Sequence, residues 1–124
     1  MSFDAITAVR ALSALAHESR LGVFRLLIQQ GPEGLPAGVI ADHLGLQRPV
    51  ASFHLRQLSQ AGLVQSWREG RSVFYVPDYK NMGGLMAYLN ENCCLGIEKP
   101  ANQSAMTSAT GRASVRQKKA AKAR

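Results

Sequence analysis

Ala37-Gly38-Val39-Ile40-Ala41-Asp42-His43-Leu44-Gly45-Leu46-Gln47-Arg48-Pro49-Val50-Ala51-Ser52-Phe53-His54-Leu55-Arg56-Gln57-Leu58 reads as two short helices broken at one glycine. Val39, Ile40 and Leu44 mark the inward side of a helix from about Ala37 to Leu44. Gly45 stands where a tight turn needs a positive φ. The next helix starts near Arg48-Pro49, since proline fits a helix's first turn. Val50, Leu55 and Leu58 hold it on the core, it runs to Ala61, and Gly62 caps it. Two helices joined in this way form a helix-turn-helix, whose second helix presents its leading residues to a major groove.

Upstream, Asp4 can cap a helix running to about Ala16, with Ile6, Val9, Leu12 and Leu15 at helical spacing. His17-Glu18-Ser19 interrupts it. A second helix spans Arg20 to Gln30, with Leu21, Phe24, Leu27 and Ile28 on one face, and Gly31-Pro32 ends it. Downstream the period changes from helical to alternating. Leu63-Val64-Gln65-Ser66-Trp67-Arg68 and Ser72-Val73-Phe74-Tyr75-Val76 are strand-like, joined by Glu69-Gly70-Arg71. Pro77-Asp78 stops the second strand, and Met82, Leu85, Met86 and Leu89 define a last helix to about Asn92. The expected class is mainly α with a small β-hairpin: a winged helix-turn-helix in the order α-α-α-α-β-β-α.

The chain's 124 residues suit one domain. Residues 1–98 carry eight basic and eight acidic side chains, so the net charge of +7 comes from residues 99–124. That stretch, rich in Ala, Ser, Thr, Gln, Lys and Arg, is expected to be a basic disordered tail beyond a 1–98 folded domain. No apolar run is long enough to span a membrane. Met1-Ser2-Phe3-Asp4 lacks a signal-peptide pattern, so a cytoplasmic location is expected.

Local charge is more informative than the total. Between residues 47 and 76, Arg48, Arg56, Arg68 and Arg71 face a single acid, Glu69. Gln47 and Arg48 carry donors suited to adenine and guanine edges. Ser52 can reach a base or a phosphate, Arg56 a phosphate, and small Ala51 permits close approach; His54 is either a base or phosphate contact or a hydrogen-bonded structural histidine, and Phe53 either meets a thymine methyl or packs. Arg68 and Arg71 flank the tip of the hairpin, placed for the adjacent backbone or minor groove. The expected partner is double-stranded operator DNA.

Four segments resemble the ArsR/SmtB family of winged-helix repressors. They are Leu15-Ala16-His17-Glu18-Ser19-Arg20-Leu21, Val50-Ala51-Ser52-Phe53-His54-Leu55-Arg56-Gln57-Leu58, Ala61-Gly62-Leu63-Val64 and Arg68-Glu69-Gly70-Arg71-Ser72-Val73-Phe74-Tyr75. The resemblance implies a homodimer built by the first and last helices, seated on a palindromic operator and released by an inducer. The apolar stripes on those two helices independently ask for a partner.

Some members of that family sense metals. The third helix here has no cysteine, so the Cys-x-Cys site that some members place there is absent, and the last helix has no histidine, so zinc sensing through His and Asp pairs is not expected there. Cys93-Cys94 remains, and it resembles the pair that closes the last helix of arsenic-responsive members. Soft thiolates prefer thiophilic ions, which points to arsenite or antimonite as inducer and to no permanent cofactor. Those members add a third cysteine, and this sequence has only two. An exogenous ligand, a cysteine of a partner subunit, or an organoarsenical inducer would each complete the coordination. Thiol redox sensing is the alternative for the pair, and a non-sensing architectural DNA binder is the alternative for the chain. An enzyme is not expected: there is no Cys-x-x-Cys, no βαβ unit, and no histidine near the cysteines in sequence.

Overall fold

The computed structural model describes residues 3–98. The expected tail, 99–124, lies outside them. The chain divides into two units, Met1–Glu91 and Asn92–Arg124.

Within Met1–Glu91, Asp4 opens α1 (Ala5–Leu15) by accepting the Thr7 amide at 2.8 Å. That bond holds the Asp4 carboxyl below its ordinary pKa. The small Ala8 and Ala11 are buried, which lets α1 lie close to its neighbours. Ile6, Val9 and Leu12 stay exposed on its other side. α2 (Glu18–Gln30) begins before the expected Arg20, because His17 acts as its N-cap. The imidazole Nδ1 accepts the amides of Ser19 at 3.1 Å and Arg20 at 3.4 Å. Histidine is outside the usual N-cap set, so by sequence this point reads as a break. Val23, Phe24 and Leu27 face the core, whereas Leu21 and Ile28, expected beside them, stay exposed.

β1 (Leu35–Pro36) is not anticipated from sequence, since two residues carry no alternation to read. It pairs antiparallel with β3 (Ser72–Pro77), Leu35 opposite Tyr75. α3 (Ala37–Leu44) follows and ends at Gly45, which is left-handed at φ 66° and ψ 31° as expected. Ile40 and Ala41 are buried, but Val39 is 38% exposed, a correction to its inward placement. α4 (Arg48–Gln60) has its proline in the first turn. β2 (Val64–Glu69) pairs with β3 from Val64–Pro77 to Glu69–Ser72, leaving Gly70 and Arg71 as a two-residue loop. Gly70 takes φ +64° there, a conformation such hairpin loops demand. The sheet order is β1-β3-β2. α5 (Tyr79–Asn90) is capped by Asp78, which accepts the Asn81 amide at 2.9 Å, and it ends before the expected Asn92.

The winged helix-turn-helix architecture is therefore as expected, with one extra short strand bracing the hairpin. Its core joins Val23 and Leu27 of α2, Ile40 of α3, Leu55 and Leu58 of α4, and Leu63 before β2, with Leu85 of α5. Val50, expected in this core, is 40% exposed. No helix among the described residues is long and apolar enough to cross a membrane.

In Asn92–Arg124, the described residues 92–98 are all exposed. Asn92, Cys94 and Gly96 take positive φ. The Cys93 and Cys94 sulfurs lie 2.9 Å apart.

Candidate nucleic-acid interface

The orientation of α4 follows from its inner stripe. Ala51, His54, Leu55 and Leu58 are buried, so Pro49, Val50, Phe53 and Arg56 look outward. Gln47 precedes the helix in extended conformation, exposed, with no capping bond from its side chain. Ser52 is half-buried. Phe53 is 44% exposed, and the Arg56 guanidinium carbon sits 5.9 Å from its ring centroid. This pair offers an apolar plate and a cation on consecutive turns, suited to a thymine methyl and a phosphate.

Arg48 takes an unexpected path. A Cβ placed on Gly38 would stand 3.1 Å from the Arg48 Cζ, with both terminal nitrogens at 3.1–3.2 Å. Near-equal distances to three atoms mean that the guanidinium plane lies face-on over Gly38. The glycine lets α3 hold an arginine at the leading edge of α4. Gly38→Ala is expected to leave stability unchanged or slightly raised, because alanine favours helix by about 1 kcal/mol. DNA affinity is expected to change, since the added methyl displaces Arg48. Urea unfolding and fluorescence anisotropy on one preparation check both halves.

Two expectations on α4 are corrected. Ala51 faces the core, at 0% exposure, and so cannot admit a close approach of DNA. His54, expected at a base or phosphate, is 5% exposed. Its Nδ1 meets the Arg20 Nη1 at 3.4 Å, and its ring lies 4.8 Å from that of His17. Arginine can only donate, so His54 Nδ1 accepts and its neutral form is the one that fits. Arg20 also donates through Nε to the Ala14 carbonyl at 2.7 Å. His17, Arg20 and His54 thus tie the end of α1, the start of α2 and the middle of α4 together. Sequence reasoning assigns Arg20 no role. Its only signal is the Leu15–Leu21 joint, which carries no chemistry by itself.

Burial first, then the positive fields of His17 and Arg20, push the His54 pKa below its ordinary 6.5. The unfolded chain then binds the proton more readily than the folded one, so stability rises with pH in this window. His54's contribution is expected to be full above pH 6.5 and to be lost as pH falls through its lowered folded-state value. Urea titrations from pH 8 to pH 5 check this: His54→Gln should flatten that part of the dependence.

The wing is anchored at its root and open at its tip. Trp67 stacks on Phe74 across the strands, centroids 5.5 Å apart and planes 16° apart. Its indole N–H donates to the Glu69 carboxylate at 3.0 Å, which occupies the acid beside the tip. Its far edge fills the space beside buried Gly34, where a Cβ would stand 2.7 Å from the ring. Sequence reasoning misses Gly34. Arg68 and Arg71 are exposed on either side of Gly70, as expected. Of the site residues named from sequence, Gln47, Arg48, Phe53, Arg56, Arg68 and Arg71 are exposed, Ser52 is half-buried, and His54 is turned away.

Cys93 and Cys94 form a separate, exposed pair. Hydrogen bonding to the Cys94 sulfur, then its charge, push the Cys93 thiol above its ordinary value. Among the described residues no group of three or more His, Cys, Asp or Glu side chains is gathered to hold a metal ion.

The family profile of helix-turn-helix domains matches residues 15–66. The uncharacterised HTH-type transcriptional regulator YceK of Bacillus subtilis is 33% identical over 73 residues, which cover 59% of this chain and 71% of YceK. A homodimeric winged helix-turn-helix DNA-binding domain from Mycobacterium bovis, described as a possible ArsR-family transcriptional regulator, is 31% identical. It superimposes with a TM-score of 0.57, over 68% of this chain and 75% of that one. A solved structure described as a possible transcriptional regulator for arsenical resistance is 30% identical, with a TM-score of 0.58 over 64% of this chain and 80% of its own.

Proposed function

We propose that this chain, which belongs to the ArsR-type winged helix-turn-helix transcriptional regulators, works as a homodimeric repressor that holds operator DNA until an inducer binds. The observation that carries the reading is the two-sidedness of α4: Ala51, His54, Leu55 and Leu58 lock one side to the core, leaving Phe53 and Arg56 outward beside the Arg48 edge. The wing supplies Arg68 and Arg71 for phosphate or minor-groove contacts.

Dimerisation is supported by the surfaces of α1 and α5. Ile6, Val9 and Leu12 on α1, with Met86 and Leu89 on α5, are between 41% and 69% exposed. The two helices pack together, and the Phe3 ring lies 2.7 Å from where a Gly84 Cβ would stand. Five large apolar side chains in water on adjoining helices call for a matching surface. A second copy supplies one by two-fold symmetry, which in turn requires an inverted-repeat operator with half-sites about one turn, roughly 34 Å, apart.

The test is titration of a labelled duplex from the region upstream of its own gene, at two salt concentrations. Arg48→Ala with Arg68→Ala is expected to weaken specific binding by tens of times. The salt slope should fall by about one for each phosphate that the variant no longer neutralises. Specific binding indifferent to both changes would overturn the assigned surface.

For the inducer, the reading is trivalent arsenic or antimony held by Cys93 and Cys94. Two exposed sulfurs 2.9 Å apart can chelate one thiophilic centre. The raised Cys93 thiol means that binding must displace protons. Arsenite should release DNA from the native chain but not from Cys93→Ser/Cys94→Ser. Release by diamide with no response to arsenite would assign the pair to thiol oxidation instead.

A further inference from the structure

A pocket of about 530 Å³ opens between α1, α2 and the C-terminal half of α4, away from the leading edge of that helix. Its polar lining is Arg10 and Ser13 of α1, Arg20 of α2, and Gln57 and Gln60 of α4. Among the described residues, no acidic side chain lines it. Every one of these polar groups can donate a hydrogen bond, and two of them are guanidiniums.

Arg20 is the decisive member. It is half-buried, so its charge is poorly screened by water. Of its five N–H donors, one meets the Ala14 carbonyl and one meets His54 Nδ1. The first of these bonds also caps the carbonyl that would otherwise repel an anion at the end of α1. The remaining donors belong to a side chain that lines the pocket. Arg10, exposed on α1, lines the same pocket and brings a second fork. Two forks around a space with no acid in its lining match the oxygens of a carboxylate or phosphate, which accept bidentate bonds.

We propose that this pocket, between Arg10, Arg20, Gln57 and Gln60, binds a small phosphate- or carboxylate-bearing anion, and that occupancy is felt by the DNA-reading helix. The pocket falls in the size range of small-ligand sites. Arg20 connects it to α4 directly, because the guanidinium that would grip the anion also holds His54. An anion that draws this guanidinium toward itself weakens its hold on His54 and loosens the seat of α4. The part of the inference that concerns DNA rests on the function proposed above. The binding part does not.

The experiment uses the full chain and three probes at equal ionic strength: sodium phosphate, sodium acetate and sodium chloride. Nitrogen-15 NMR of backbone, arginine and histidine ring signals reads the binding. Phosphate or acetate should give saturable shifts at Arg10, Arg20 and the His54 ring, and chloride should not. Phosphate against acetate separates a tetrahedral from a planar ligand. Arg10→Gln alters an exposed residue, so it keeps the fold, and should weaken the response at least tenfold. Arg71→Gln, at the wing, should leave it intact. In anisotropy titrations, the saturating anion should lower DNA affinity several-fold in the native chain and not in Arg10→Gln.

Equal shifts with chloride would reduce the effect to screening and overturn the site. The same would follow if Arg10→Gln weakened DNA binding in chloride while no anion saturated, because the pocket would then seat a DNA phosphate. Saturable anion binding in a chain that never binds DNA would uphold the site and overturn the repressor reading alone.

Discussion

Replacing Val9 and Leu89 together with glutamate is expected to give a folded monomer whose operator affinity is lower by about a hundredfold or more. Val9 is 61% and Leu89 56% exposed, so neither supports the core of its own subunit. In a dimer closed through α1 and α5, each carboxylate would be buried without a partner, and that penalty far exceeds what two exposed substitutions cost a monomer. The DNA effect follows because linked half-site readers gain about 10²–10⁴ in affinity over separate ones. Light scattering reads the oligomeric state, circular dichroism the fold, and anisotropy the affinity. A folded double variant that remains dimeric would place the subunit interface elsewhere.

Gly34→Ala is expected to destabilise the fold by about 3 kcal/mol. Gly34 sits at φ +72°, where an L-residue is strained by about 1–2 kcal/mol. Its new methyl would also stand 2.7 Å from both the Trp67 ring and the Tyr75 carbonyl oxygen. The oxygen belongs to the β1–β3 ladder and cannot move aside cheaply, so the indole must shift and the wing root opens. Gly70→Ala is the control: φ is +64° there too, but none of the described residues comes within 4 Å, so only the conformational cost of about 1–2 kcal/mol applies. Urea midpoints and Trp67 emission separate the two. Equal losses of stability for both variants would show that the packing of Trp67 contributes nothing to the wing.

The helix-turn-helix is legible in the sequence because its signals are local. Gly45 and Gly62 sit at positions whose positive φ excludes most other residues, and Pro49 marks a first turn. The hairpin is legible from alternation around Gly70. Facing is less so. Hydrophobicity alone places Val39 and Val50 inward, yet α3 and α4 are too short, and packed on too few sides, to bury every apolar residue. By residue type, His54 reads equally as a DNA contact or a structural histidine. One position along a helix turns a side chain by about 100°, and that angle puts His54 in the core and Phe53 outside.

The amino-acid order on its own determined the succession of elements, the helix-turn-helix with its wing, the exposed arginines and the adjacent thiols. Each depends on dihedral preference, periodicity or residue identity within a few positions. Tertiary structure alone decided that Arg20 reaches both Ala14 and His54, that Gly38 cradles Arg48 and that Gly34 admits Trp67. Those pairings join residues whose distance along the chain says nothing of their meeting. They form only once burial of the shared core has fixed how the helices and the hairpin lie against each other.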